Sequence, residues 1–466
     1  MKQPNILFIY ADQHRADVIG CAGNPRVHTP NLDRLAKEGA RFTQAWTESP
    51  ICQPARASLL TGQYPHQHGI VGNFTGECDP EWETYTKHLQ QAGYTTAVIG
   101  KTHYSNWPMG KAKEPAPSET WLKSFGYDYV VEEFDRYVHV NFETPYTKFV
   151  LPRGDLAAYR QTLSDRFRIG DRHWEAVTSP LPQALDLTSF LADEAAQWLT
   201  AQPTDQPWFL NLAFVQPHVP LMADPEWAAH YAHTFIPRSD TTVPEPKSEQ
   251  WAEHLKILQK HSHSKLLTDD FVQAGARQYY AMISLIDQKV GALIAQLEAQ
   301  GALEDTLIIY ASDHGEMLGD HGLMAKMCFY QGSVRVPMII RPPGGCGGTT
   351  YTAPVQAFDL VATMLEAANA APLSKSPARS LLPVLTDQTH KVRELAHSTI
   401  RMRPGLPTWV GVSDGELRLT YDKDSGECVE VFNLKTDPLE NHNLTGLVTY
   451  QDRANALLEA SQKVLS

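Results

Sequence analysis

Short apolar runs alternate along this chain with stretches of helical period, and that alternation admits few architectures. Residues 5–10, 95–99, 208–215 and 306–310 read as strands, apolar almost throughout and bounded by polar or turn residues. Helices are expected between them. One follows Thr29, which can cap, with Pro30 in its first turn and Gly39 at its end. Others are expected over residues 84–91 and 186–199. A long amphipathic helix carries Ile283, Ile286, Val290, Leu293, Ile294 and Leu297 at helical spacing and stops at Gly301. Strands without a polar face are covered on both sides. The pattern therefore implies an α/β fold, with a large mixed, mainly parallel sheet sandwiched by helices.

Two regions depart from this rhythm. Residues 104–185 are rich in prolines, aromatics and arginines without clear period, which suits a long insertion over the active edge. Beyond residue 370 the pattern changes: Pro372, Pro377 and Pro383 mark a connection, and residues 409–412, 416–421 and 428–432 read as short antiparallel strands. A terminal helix over 452–464 completes a small α+β unit. The expected organisation is a catalytic α/β domain over 1–370 and a C-terminal α+β domain over 371–466.

The composition bounds the partners. The formal charge of −13 argues against nucleic acid, and an anionic substrate must be drawn by a local cluster of cations. No run approaches the roughly 20 apolar residues of a membrane span, and the first apolar run is too short for a signal segment. Six cysteines (Cys21, Cys52, Cys78, Cys328, Cys346, Cys428) show no C-x-x-C spacing, so free thiols and a cytoplasmic location are expected.

Ligand sites in such sheets lie beyond the carboxyl ends of the strands. There this sequence places Asp12-Gln13, Lys101-Thr102-His103, Gln216-Pro217-His218 and Ser312-Asp313-His314-Gly315. Packing alone does not explain four strands delivering ionisable groups to one edge. A fifth element joins them. Cys52-Gln53-Pro54-Ala55-Arg56 opens a short helix that Gly62 can stop. A helix N-terminus favours anions, and Arg56 adds a planar, permanently charged donor for tetrahedral oxyanions. A reactive group in such a pocket points to sulfuryl or phosphoryl transfer.

The Cys52 segment also resembles the C-x-P-x-R modification sequence of the type I sulfatases, in the alkaline phosphatase superfamily. Further blocks are similar in the same order: Pro4 to Asp12, Thr29 to Asp33, Gly100-Lys101-x-His103, Pro217-His218-x-Pro220, and Ser312 to Glu316 with Lys326. Val431-Phe432-Asn433-Leu434 and Asp437-Pro438 resemble the closing block. Ala55 stands where serine is common. The resemblance implies a sulfuric ester hydrolase in which a formylglycine-generating enzyme oxidises Cys52 to formylglycine, whose hydrated aldehyde is the nucleophile. It implies one divalent metal held by Asp12, Gln13, Asp313, His314 and the oxygen at position 52. Gln13 and His314 replace the aspartate and asparagine common in the family, as in its choline-sulfatase and phosphonate-monoester-hydrolase branches. A nitrogen ligand suits Mn2+, with Ca2+ the other candidate. By the same resemblance, Arg56 holds the nucleophile, Lys101 and Lys326 neutralise sulfuryl oxygens, His218 is the general acid and His103 the base of the second step.

Lys101, His218, Lys326 and Asn73 are the expected substrate contacts. The alcohol, aryl or carbohydrate, is less determined. Trp107, Arg153, Arg160, Arg166, Arg168, Arg172, His173, Trp174, Arg401 and Arg403 are candidates to receive it. Two other functions compete: a phosphonate monoester hydrolase or phosphodiesterase on the same scaffold, and a non-catalytic binding protein in which Cys52 stays a thiol. Lys101 and His103 argue against the first. The sequence leaves a homo-oligomer open.

Overall fold

In strand β1 (Asn5–Asp12) the residues alternate between two cores: Ile6, Phe8 and Tyr10 pack on one side, Leu7, Ile9 and Ala11 on the other. This double burial is what an unbroken apolar run buys, and it puts β1 in the middle of the sheet. The computed structural model describes residues 3–107, 117–167, 174–237, 244–262, 264–387, 389–403 and 405–465.

The other strands of the large sheet are β2 (Ala40–Phe42), β3 (Thr95–Gly100), β4 (Tyr129–Glu132), β5 (Trp208–Pro217), β6 (Thr306–Ser312), β7 (Met338–Arg341) and β8 (Thr349–Tyr351). They lie in the order β8-β2-β7-β6-β1-β5-β3-β4. β1 pairs in parallel with β5 and β6, and β3 with β5 and β4; β7 alone runs antiparallel to its neighbours β6 and β2. The carboxyl ends of β1, β3, β4, β5 and β6 therefore open on one edge.

Helices cover both faces. Among them are α1 (Pro30–Glu38), α2 (Cys52–Thr61), α3 (Leu187–Thr200) and the 31-residue α4 (Asp269–Ala299). The periodic residues Ile286, Val290, Leu293, Ile294 and Leu297 of α4 pack against the core beneath α1 and α3, while Ile283 joins a neighbouring cluster. Thr29 occupies the N-cap of α1 without a capping hydrogen bond; its hydroxyl accepts from Gly20 N instead. Gly62 ends α2 in the left-handed region, as a stop signal should.

Residues 104–185 are more regular than the sequence suggests. They supply β4, which extends the main sheet, and a helix at Leu156–Phe167. Near the C-terminus, β9 (Ala396–Ile400), β10 (Trp409–Ser413), β11 (Leu417–Asp422) and β12 (Cys428–Asn433) form an antiparallel sheet in sequential order, and α5 (Val448–Leu465) packs on it. The first of these strands has no clear sequence signal; the other three match expectation. No helix among the described residues is long and apolar enough to cross a membrane.

Candidate active site

Each strand end contributes one piece of the site. Asp12 closes β1, Lys101 follows β3, Asp313 and His314 follow β6, and Cys52 is the first residue of α2. All five are at most 2% exposed. Ligand atoms of Asp12, Cys52, Asp313 and His314 lie within 4.8 Å of one another. The His314 Nε2 is 3.1 Å from Cys52 Sγ, 3.7 Å from Asp12 Oδ1 and 3.6 Å from Asp313 Oδ1.

The tautomer of His314 follows from its other nitrogen. Nδ1 lies 2.9 Å from the Gly315 carbonyl, which can only accept, so Nδ1 carries the proton and Nε2 presents a lone pair. Burial, with Lys326, pushes His314 down to about 4, which keeps it neutral. Two carboxylates and an imidazole lone pair thus converge in a dry pocket. That donor set fits a divalent cation with mixed oxygen and nitrogen ligands.

Cations surround the carboxylates. Arg56 Nε donates to Asp313 Oδ2 at 2.9 Å, and Nη2 stands 3.5 Å from Asp12 Oδ2. Lys101 Nζ bridges Asp12 Oδ2 at 2.5 Å and Asp135 Oδ2 at 3.0 Å. Burial would raise the Asp12 pKa, but Lys101, His218 and Arg56 together hold it well below the ordinary carboxylate value. Cys52 is different: burial, and then Asp12, push its thiol up to about 12, so thiolate chemistry is disfavoured there.

Gln13 turns its side chain toward Glu316 and Lys326. Its amide nitrogen donates to Glu316 and its amide oxygen accepts from the Lys326 ammonium, while its backbone N–H donates to Asp313 Oδ1 at 3.0 Å. His103 is 3% exposed, sits edge-on to Phe134 at 4.6 Å, and neither ring nitrogen has a hydrogen-bond partner among the described residues. Burial, with Lys101 and Arg56, keeps it neutral, its pKa well below the ordinary value. His218, with a side chain 14% exposed, is also held down by burial and Lys326.

The sulfatase profile matches residues 4–370, and the C-terminal profile of N-sulphoglucosamine sulphohydrolase matches residues 319–464. The chain belongs to the sulfatase family. It is 30% identical over 456 residues to a choline-sulfatase of Rhizobium meliloti, covering 95% of this chain and 82% of that protein. It is 28% identical over 471 residues to an arylsulfatase of Clostridium perfringens, covering 98% and 93%. The fold also matches the crystal structure of a phosphonate monoester hydrolase of Agrobacterium radiobacter, with a TM-score of 0.79, 24% identity, and 99% and 95% coverage. This sulfatase is accordingly a sulfuric ester hydrolase of the alkaline phosphatase superfamily.

Asn73, expected to contact the substrate, supports the first turn of α2: its Oδ1 accepts from Gln53 N at 2.9 Å. Several arginines proposed for the alcohol are engaged elsewhere. Arg160 donates to the carbonyls of His139 and Phe142, Arg166 pairs with Glu175, and Arg153 lies over the Phe149 ring. Trp174 is part of a core cluster, whereas Trp107 packs on Phe134 beside His103. Arg401 is tied through its backbone N–H to Val71, close to the Asn73 turn. Arg168, Arg172 and His173 lie outside the described residues. Two site carboxylates escaped sequence reasoning. Glu316 meets Gln13, and Asp135 meets Lys101 and His218, only through the fold, and no local pattern marks either pairing.

Proposed function

We propose that this sulfatase hydrolyses sulfate monoesters of aryl or carbohydrate alcohols to the alcohol and inorganic sulfate, using formylglycine made from Cys52 and one divalent metal. The convergence of Asp12, Cys52, Asp313 and His314 at the N-terminus of α2 carries this reading. Asp12, Asp313 and His314 would hold the metal, with the His314 nitrogen favouring Mn2+ over Ca2+; the Gln13 amide oxygen would join them only by giving up its bond to Lys326. When bound, the metal supplies positive charge that acidifies the nucleophile and balances the sulfuryl oxygens. Conversion of Cys52 by a formylglycine-generating enzyme would supply a hydrated aldehyde as that nucleophile.

The chain's own groups do the rest. Arg56, fixed between two carboxylates, orients residue 52 and keeps positive charge beside it. Lys101, at Asp12, and Lys326, at Gln13, counter the charge that builds on the equatorial oxygens. His218 donates a proton to the departing alcohol. His103, neutral and unengaged, takes the proton that residue 52 must lose for sulfate to leave. Dry walls strengthen each of these interactions.

Mass spectrometry of the Cys52 peptide from the native host, paired with steady-state kinetics on aryl sulfates and aryl phosphonates, tests the proposal. The expected result is the mass decrease of thiol-to-aldehyde conversion and a higher kcat/KM on the sulfate. A peptide carrying only unmodified cysteine would overturn the reaction and favour a binding role. A preference for phosphonate would make the chain a phosphonate monoester hydrolase.

A further inference from the structure

We propose that Asp135 is a positioning residue for the general acid: it holds His218 by Nδ1 so that Nε2 is the nitrogen that protonates the leaving alcohol. The proposal rests on the hydrolytic reading above. Asp135 follows the edge strand β4 at the start of a short 3-10 turn (Arg136–Val140), and it is 2% exposed. Its Oδ2 lies 3.2 Å from His218 Nδ1 and 3.0 Å from Lys101 Nζ. A second oxygen faces the same nitrogen, the Val219 carbonyl at 3.2 Å. Both groups only accept, so Nδ1 keeps its proton whether the ring is neutral or charged, and Nε2 is left for the reaction.

Charge makes this contact necessary. Besides Asp135, His218 faces Lys326, Lys101, Asp12 and His314. Burial and the two lysines oppose an imidazolium, yet a general acid must arrive protonated. Asp12 opposes them from further off, and Asp135 is the carboxylate in direct contact with the ring. As the S–O bond breaks, its electron pair goes to the alcohol oxygen and the Nε2 proton follows. The ring returns to neutral with its remaining proton on Nδ1, still facing Asp135. A second consequence concerns Lys101, which is held between Asp12 and Asp135 and so cannot swing away from the sulfuryl position.

The test is the dependence of rate on the leaving group. Native enzyme, Asp135→Asn, His218→Ala and the double variant are matched for formylglycine and metal content. Each is assayed on aryl sulfates ranging from phenyl to dinitrophenyl. General acid catalysis is worth about 100-fold or more when the leaving group needs a proton. Asp135→Asn should therefore lose on the order of 100-fold in kcat/KM on phenyl sulfate and less than about tenfold on dinitrophenyl sulfate. On phenyl sulfate the double variant should be no slower than His218→Ala alone, since residues acting as a unit are not additive. Equal losses across the series, or additive losses in the double variant, would overturn the proposal. If native enzyme prefers phosphonates, the reaction assignment falls, and the same variants on an aryl phosphonate series decide the role of Asp135. Native enzyme inactive on both series would overturn both.

Discussion

His314 sets this cluster apart from an all-oxygen site, for it brings an imidazole nitrogen among the carboxylates. Its Nδ1–H is taken by the Gly315 carbonyl, and burial holds the ring neutral down to about pH 4, so Nε2 presents its lone pair to the pocket beside Cys52 Sγ. His314→Asn should weaken Mn2+ binding by at least about tenfold and erode its preference over Ca2+, because an amide oxygen replaces the nitrogen. Metal titration of the purified protein reads this directly, and an unchanged Mn2+/Ca2+ ratio would remove the imidazole from the coordination shell. At this scale the sequence was informative wherever a reactive residue adjoined a strand end or a helix start, as with Asp12, Cys52, Asp313 and His314. Asp135 was illegible because its value lies in two partners, Lys101 and His218, that only folding brings to it. Glu316 was hidden for the same reason: its partner Gln13 lies on the neighbouring strand end.

Among the elements, β3 shows how a backbone position can fix a side chain of the site. Gly100 has φ +111, and a Cβ there would sit 1.9 Å from the Ala213 carbonyl oxygen of β5. The strands approach too closely for any side chain, and that approach aims Lys101 at Asp12. Gly100→Ala combines an unfavourable φ with a backbone clash, each worth roughly 1–3 kcal/mol. Urea unfolding should show a loss of about 3 kcal/mol or more, together with a fall in kcat from the displaced lysine. Unaltered stability would mean that β3 and β5 can separate without cost. The central strands were readable because both faces are apolar. β7 was not among the expected strands, and its four residues give no sign of its antiparallel direction, since a buried strand reads the same either way. β4 escaped because Tyr129–Glu132 is a short edge strand of half-exposed residues, with little apolar signal.

Across the whole molecule, polar groups as well as apolar packing join the C-terminal sheet to the rest. Arg418 on β11 is fully buried, bonded to Glu430 and Glu440, and lies over the rings of Tyr330 and Phe432. Glu48 makes a second connection. Its carboxyl oxygen accepts from Phe358 N at 2.8 Å and Gln356 Nε2 at 3.2 Å, and its backbone oxygen accepts from Thr399 N of β9 at 2.8 Å. Burial, reinforced by Asp359, pushes this carboxyl up to about 7 from an ordinary value of 4.5. A group whose folded pKa is raised binds more protons folded than unfolded between those two values. Stability must therefore fall as pH rises through that window, and the cost is complete above about pH 7. Its size is on the order of 3 kcal/mol. Glu48→Gln keeps the acceptor oxygen for Phe358 and Gln356 but cannot ionise. Native protein should lose more stability between pH 5 and pH 8 than this variant does, by up to about 3 kcal/mol in paired urea titrations. Subtracting one titration from the other cancels the other buried carboxyls raised to about 6 or 7, among them Asp287 and Glu132. Equal pH dependence in the two proteins would show that Glu48 ionises freely, and that the junction between the sheets is wetter than its burial implies.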